Sequence, residues 1–291
     1  MSIFTGSGVA LITPFDDKGD INYVKLDELI QFHLDNLTDA LIVAGTTGEA
    51  STLTDEEQVN LVEFTVKKVG GKIPVIAGAG SNDTRHGINL AKMCENVGAD
   101  ALLQVTPYYN KTTQYGLLKH FEAINDNVNI PMILYSVPGR TGMGISTDTV
   151  KRISEMDNFV GIKDATGDIS YTTEIINIVD NDFYVYSGND DIVLPMLSIG
   201  AKGVISVWAN IYPKVVHDMC ELFFDGRMEE ARYIQLKYKK FIDVLFSEVN
   251  PIPIKAAMNI AKFDVGGLRL PLVEAQPDTI KKIRSLMEEF Y

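Results

Sequence analysis

The sequence predicts a closed (β/α)8 barrel of the TIM type with additional C-terminal helices, and three observations carry that prediction. Eight short apolar runs bounded by turn residues occupy 8–13, 40–45, 73–79, 101–106, 131–137, 159–165, 183–188 and 203–208. Their starts lie about twenty to thirty-five residues apart, and the stretches between them repeat apolar residues at helical spacing. Strands alternating with helices imply parallel pairing, and eight units of this size fit a closed barrel better than an open doubly wound sheet.

The first helix is written in Leu26, Leu29, Ile30, His33 and Leu34, and the second in Val59, Leu61, Val62, Val66 and Val69. Thr54-Asp55-Glu56-Glu57 has the form of a capping box just before the second of these. Thr54 is therefore read as structural. From about Tyr212 to Tyr291 the strand pattern stops and the periodicity is helical, broken at Asn250-Pro251-Ile252-Pro253 and near Gly266-Gly267. The expected organisation is a catalytic barrel over 1–211, then the final barrel helix and a helical extension over 212–291. Low-complexity segments and long linkers are absent.

At 291 residues and 46% hydrophobic content the chain can bury a large core. A formal net charge of −13 argues against binding nucleic acid or anionic membranes and favours small substrates. Cys94 and Cys220 sit far apart with no metal-ligand or disulfide pattern, which fits a reducing cytoplasm. The stretch Met1 to Gly6 lacks the features of an export signal, and no apolar run reaches membrane-spanning length. His33, His86, His120 and His217 show no paired spacing, no Gly-Lys-Ser/Thr loop exists, and the 139–144 glycines miss the dinucleotide fingerprint. No metal and no nucleotide cofactor are expected.

Barrel chemistry gathers at the C-terminal ends of the strands. In the sixth run, Phe159-Val160-Gly161-Ile162-Lys163-Asp164-Ala165-Thr166, a lysine interrupts a buried strand. Alternation places Gly161, Lys163 and Ala165 on one face, with small residues leaving room for a ligand beside the amine. Desolvation favours the neutral amine, so Lys163 reads as a Schiff-base nucleophile; the other reading is a strand-end lysine that snorkels to solvent. After the second strand, Gly45-Thr46-Thr47-Gly48-Glu49 is either an anion-binding nest suited to a carboxylate or a tight turn with polar filler. Tyr135, near the end of the fifth strand, can pass protons to a substrate or simply fill the core. The following turn lifts Arg140 to the rim, where it is a carboxylate ligand or a solvated loop cation. Tyr108 and Tyr109, exposed on the loop after the fourth strand, suit an interface or ordinary packing of that loop on its own helix.

Taken together, Gly45-Thr46-Thr47-Gly48-Glu49, Tyr135-Ser136-Val137-Pro138-Gly139-Arg140-Thr141 and Gly161-Ile162-Lys163-Asp164-Ala165-Thr166-Gly167-Asp168 resemble, over the full length and in order, the pyruvate-dependent class I aldolase-like family that includes dihydrodipicolinate synthase and N-acetylneuraminate lyase. All three motifs are similar to the dihydrodipicolinate synthase versions; sialate lyases differ around the lysine and usually carry a serine before the threonine of the first motif. The resemblance implies that Lys163 forms an imine with pyruvate, whose carboxylate is held by Thr46-Thr47, and that the enamine attacks L-aspartate 4-semialdehyde in lysine and diaminopimelate biosynthesis. It implies Tyr135 as acid/base, in a proton relay with Thr46 and with Tyr109 from a neighbouring subunit. Arg140 is implied as the ligand of the semialdehyde carboxylate, with Gly188 and Ile205 lining the pyruvate pocket. A homotetramer built from tight dimers is implied as well.

One departure stands out. In lysine-inhibited members the allosteric pocket uses histidines, an asparagine, a glutamate and a tyrosine. Asn82 and Tyr108 match, but Asp55 and Gln58 stand at the histidine positions and His86 at the glutamate's. Lysine feedback is therefore expected to be weak or absent. The competing expectations are a 2-keto-3-deoxy sugar acid or sialic acid aldolase, and a non-catalytic barrel that binds a keto acid as a sensor.

Overall fold

A computed structural model describes residues 3–290; Met1, Ser2 and Tyr291, to which the terminal readings extend, lie outside the described residues. Eight parallel strands, β1 Gly6–Ala10, β2 Ala40–Val43, β3 Val75–Gly78, β4 Ala101–Val105, β5 Met132–Ser136, β6 Phe159–Asp164, β7 Tyr184–Ser187 and β8 Gly203–Ser206, close into a barrel in sequence order, with β8 returning to β1. All eight coincide with the apolar runs. The first differs in extent: β1 starts at Gly6, and the tail of its run leaves the ladder because Asn210 Oδ1 accepts the Ile12 N–H at 3.0 Å while Asn210 Nδ2 donates to the Ala10 carbonyl at 2.8 Å.

The helices are α1 Tyr23–Asp35, α2 Asp55–Val69, α3 Thr84–Asn96, α4 Gln114–Asn125, α5 Pro138–Thr141, α6 Thr147–Ser154, α7 Ile169–Ile178, α8 Val193–Ser198, α9 Pro213–Phe224, α10 Met228–Leu245, α11 Ile252–Ile260 and α12 Pro277–Glu288. The capping box at Thr54 forms as the sequence predicts: its hydroxyl accepts the Glu57 N–H and the Glu57 carboxylate accepts the Thr54 N–H. Gly70, left-handed at φ 59°, ends the same helix.

Two apolar layers follow from strand alternation. Ile42, Ile76, Leu103, Ile133, Tyr135 and Ile205 fill the barrel interior. A larger layer lies between the barrel and the helices, with Leu41, Leu102, Leu134, Ile162 and Val204 pointing outward. After β8 the chain is helical apart from short turns and the longer stretch 261–276. In that region α9 packs on β1 and α10, and α10 packs in turn on α11 and α12. An aromatic cluster of Trp208, Tyr212, Tyr238, Phe241 and Phe290 joins these helices to the turn after β8. The extension returns to the mouth of the barrel, which gives it a part in the site.

Candidate active site

The parallel register brings the strand-end residues together. Tyr135 pairs with Lys163 across β5 and β6, and Lys163 pairs with Tyr186 across β6 and β7. Lys163 is only 6% exposed, so it does not snorkel free of the barrel; its Nζ lies 4.4 Å from the centroid of the Tyr135 ring. The amine thus rests on an aromatic face, and among the described residues no carboxylate forms an ion pair with it. Ile205 is fully buried in the same interior cluster as Tyr135. Gly188 follows β7 and donates its N–H to the Asp164 carbonyl at 2.7 Å; a side chain there would meet the Ala165 Cβ at 2.6 Å.

One sequence reading needs correction. Gly161 does not leave space for a ligand beside Lys163, because a Cβ at that position would overlap the Tyr184 carbonyl oxygen of the neighbouring strand. The glycine serves the close approach of β7.

The turn after β2 is tightly organised. Ala44 and Glu49 both take left-handed backbone conformations, with φ of 53° and 58°, and the Glu49 N–H and Ala50 N–H close the turn on the carbonyls of Thr46 and Gly45. Among the described residues the N–H groups of Thr46 and Thr47 donate to no backbone carbonyl, so they remain available to an anion. Glu49 is buried and forms an ion pair with Lys255 at 2.6 Å, while its Oε2 accepts the Arg269 N–H at 3.1 Å. Burial pulls the Lys255 ammonium down to about 8, against the opposing pull of Glu49. Arg269 also spans the Glu57 carboxylate, holding that acid at about 2. The turn is therefore pinned from behind by the C-terminal extension.

At the rim, Arg140 is exposed and donates from Nη2 to the Asn250 carbonyl at 3.0 Å. Thr46, Tyr135 and Arg140 line one cavity of about 330 Å³, which extends outward to Tyr108, Gln58 and His86. Tyr109 is not brought to this group within one chain: it is 93% exposed, at φ 69°, and does not line the cavity. His86 donates or accepts at both ring nitrogens, with Asp55 Oδ1 at 2.9 Å and Ser81 Oγ at 2.8 Å.

Several residues near the site carry no signal in the sequence reading. Asn250 Nδ2 donates to the Thr47 hydroxyl at 3.0 Å, across 203 positions of sequence. Asp190 is fully buried, accepts the Val207 and Trp208 N–H groups, and is raised by burial, with the charge of Lys163 acting in the opposite direction. Only the break at Asn250-Pro251 marked the first of these, and it was read as punctuation between helices. Conversely, much of the motif after Lys163 is architectural. Asp164 accepts the Thr166 N–H and the Thr172 hydroxyl, and Asp168 caps α7 by accepting the Tyr171 N–H. Among the described residues no group of three or more His, Cys, Asp or Glu side chains is arranged to hold a metal ion, and no helix is long and apolar enough to cross a membrane.

A buried amine with a phenol ring against it, the N–H groups and hydroxyls of the Thr46-Thr47 turn for one carboxylate and a rim guanidinium for another supply the groups that carbonyl chemistry on small acids needs. The model of the dihydrodipicolinate synthetase family matches residues 3–290. The chain is 52% identical to the 4-hydroxy-tetrahydrodipicolinate synthase of Acetivibrio thermocellus, over 99% of this chain and 98% of that one. It superposes with TM-score 0.96 on the crystal structure of dihydrodipicolinate synthase from Aquifex aeolicus, at 43% identity and covering 99% and 98% of the two chains. The chloride-inhibited dihydrodipicolinate synthase of Acinetobacter baumannii, crystallised in complex with pyruvate, superposes with the same score at 40% identity, covering 99% of each chain.

Proposed function

The chain belongs to the dihydrodipicolinate synthetase family and has the 4-hydroxy-tetrahydrodipicolinate synthase activity of lysine and diaminopimelate biosynthesis, and we propose that Lys163 is the residue through which it works. In this reading the Lys163 amine attacks C2 of pyruvate, and Tyr135 returns a proton to the departing oxygen as water leaves and the imine forms. Loss of a methyl proton gives the enamine. Its carbon attacks the aldehyde carbon of L-aspartate 4-semialdehyde, whose oxygen takes up a proton to become the ring hydroxyl. The semialdehyde's amino group then adds to C2, the ring closes and the Lys163 amine is released. One water is lost overall, and no electrons are exchanged.

The observation that carries this reading is the buried Lys163 amine against the Tyr135 ring at the barrel mouth. The Thr46-Thr47 turn seats the pyruvate carboxylate, with Gly188 and Ile205 forming the remaining wall. Arg140 takes the semialdehyde carboxylate; a short charged aldehyde needs a cation there, whereas a polyol needs hydroxyl-binding groups. The exposure of Tyr109 supports its delivery to a neighbouring subunit's Tyr135 and Thr46, and with it an oligomer, a homotetramer built from tight dimers. We place the enzyme in the cytoplasm, where the free cysteines Cys94 and Cys220 are at home. The engagement of both His86 ring nitrogens, by Asp55 and Ser81, supports weak lysine feedback, because the imidazole presents neither a negative charge nor a free acceptor to a bound ammonium. The test is turnover with aspartate semialdehyde, N-acetylmannosamine and glyceraldehyde, using Lys163→Ala as the blank. Lys163-dependent turnover with the semialdehyde supports the reading, and a preference for a sugar aldehyde overturns the substrate assignment.

A further inference from the structure

Asn250 touches two separate parts of the site from outside the barrel. Its side-chain Nδ2 donates to Thr47 Oγ1 at 3.0 Å, and its main-chain carbonyl accepts from Arg140 Nη2 at 3.0 Å. Thr47 and Asn250 are both buried, so neither contact trades freely with water.

The direction of the first contact matters. A hydroxyl has one proton, and when its oxygen accepts from an amide N–H that proton is free to point elsewhere. With Asn250 Nδ2 as donor, the Thr47 proton is left for the space in front of the turn, beside the free Thr46 and Thr47 N–H groups. All three then act as donors, which is what a carboxylate requires. The reversed amide would instead take the Thr47 proton on its oxygen and leave its nitrogen with no acceptor at all. In the orientation present it is Asn250 Oδ1 that lacks a partner, the commoner and less costly shortage.

We propose that Asn250 is a positioning residue that sets the hydrogen-bond polarity of the Thr47 hydroxyl toward the keto-acid carboxylate, while its carbonyl anchors the Arg140 guanidinium across the mouth. The extension after the barrel thereby fixes the hydrogen-bonding direction of one carboxylate seat and the position of the other. This inference rests on the reading that the Thr46-Thr47 turn seats the pyruvate carboxylate.

The decisive variant is Asn250→Asp, which keeps shape but replaces the donor by an acceptor with negative charge. The Thr47 proton then turns inward, and the charge faces the substrate carboxylate. The pyruvate KM rises about a hundredfold, while kcat at saturating pyruvate stays within a few-fold of the parent enzyme. Asn250→Ala, which removes the donor without adding charge, raises KM about tenfold, the worth of one hydrogen bond to a charged partner. Thr47→Val raises KM similarly, and adding Asn250→Ala to it changes KM little further, because both act through one hydroxyl. Equal KM for Asn250→Asp and the parent overturns the proposal, and so do additive Thr47→Val and Asn250→Ala effects. Should Asn250→Asp fail to fold, the additivity test decides alone. Borohydride trapping of pyruvate in each variant separates the two readings: loss of Lys163-dependent trapping in the parent enzyme defeats the imine assignment, whereas intact trapping with unmoved KM defeats only the role of Asn250.

Discussion

Replacing Lys255 by methionine tests how strongly the extension holds the turn that carries Thr46 and Thr47. The Lys255 side chain is 1% exposed and its Nζ is shared by Glu49, at 2.6 Å, and the Gly267 carbonyl, at 2.7 Å. Methionine fills the volume but leaves the Glu49 carboxylate buried with the Arg269 N–H as its remaining donor. Breaking one side of such a pair costs about 3–5 kcal/mol. With unfolding entropy of about 2.1 cal/mol/K per residue, 291 residues give about 0.6 kcal/mol/K, so Tm falls by about 5–8 °C. The assay is calorimetry or fluorescence-monitored melting of Lys255→Met, Glu49→Gln and the double variant. The double variant recovers part of the loss, since it removes both charges. Lys67→Met, which breaks the solvent-exposed pair with Glu63, leaves Tm unmoved and serves as the control. A shift below about 2 °C in Lys255→Met, or strict additivity in the double variant, refutes the reasoning.

Glu57→Gln keeps the capping contacts of α2 but loses the pair with Arg269. Because the folded carboxyl sits at about 2, below its ordinary value of 4.5, its stabilisation is complete above pH 4.5 and lost as pH falls through 2. The group is partly solvated, so the deficit of the variant at pH 7 is about 1–2 kcal/mol, and urea melts at pH 7 and pH 3 will show it narrowing. Burial holds His33 at about 3 and His120 at about 4, whereas the hydrogen bond from His217 to Asp39 lifts that imidazole above 6.5. At pH 5.5, NMR will show His217 protonated and the other two neutral; a protonated His33 contradicts the burial argument. Lysine at millimolar concentration leaves steady-state turnover nearly unchanged, and inhibition at or below that concentration refutes the reading of the His86 and Asp55 pair.

How much of this was legible in the sequence divides along contact range. Strands and helices announce themselves through period, so all eight barrel strands and the Thr54 cap follow from local pattern. Lys163 was visible because charge within an apolar strand is locally anomalous, and the resemblance then supplied roles for Tyr135, Thr46, Thr47 and Arg140. Gly161 was misread because only the neighbouring strand reveals the carbonyl that excludes a side chain there. Asn250, Lys255 and Arg269 were not legible, since each acts on a turn some two hundred positions earlier and nothing in their own neighbourhood marks the partner. Asp190 was hidden although its partners are nearer in sequence: its meaning lies in the Val207 and Trp208 N–H groups of the next strand's turn and in the charge of Lys163, none of which its own stretch reveals.

Among the described residues two lysines, Lys163 and Lys255, are buried, and only the first is read as the nucleophile. Incubation with pyruvate and borohydride followed by peptide mapping tests that assignment most directly. A reduced pyruvyl adduct on the peptide containing Lys163, absent from Lys163→Ala, is the predicted result. An adduct on Lys255, or trapping that survives Lys163→Ala, contradicts it.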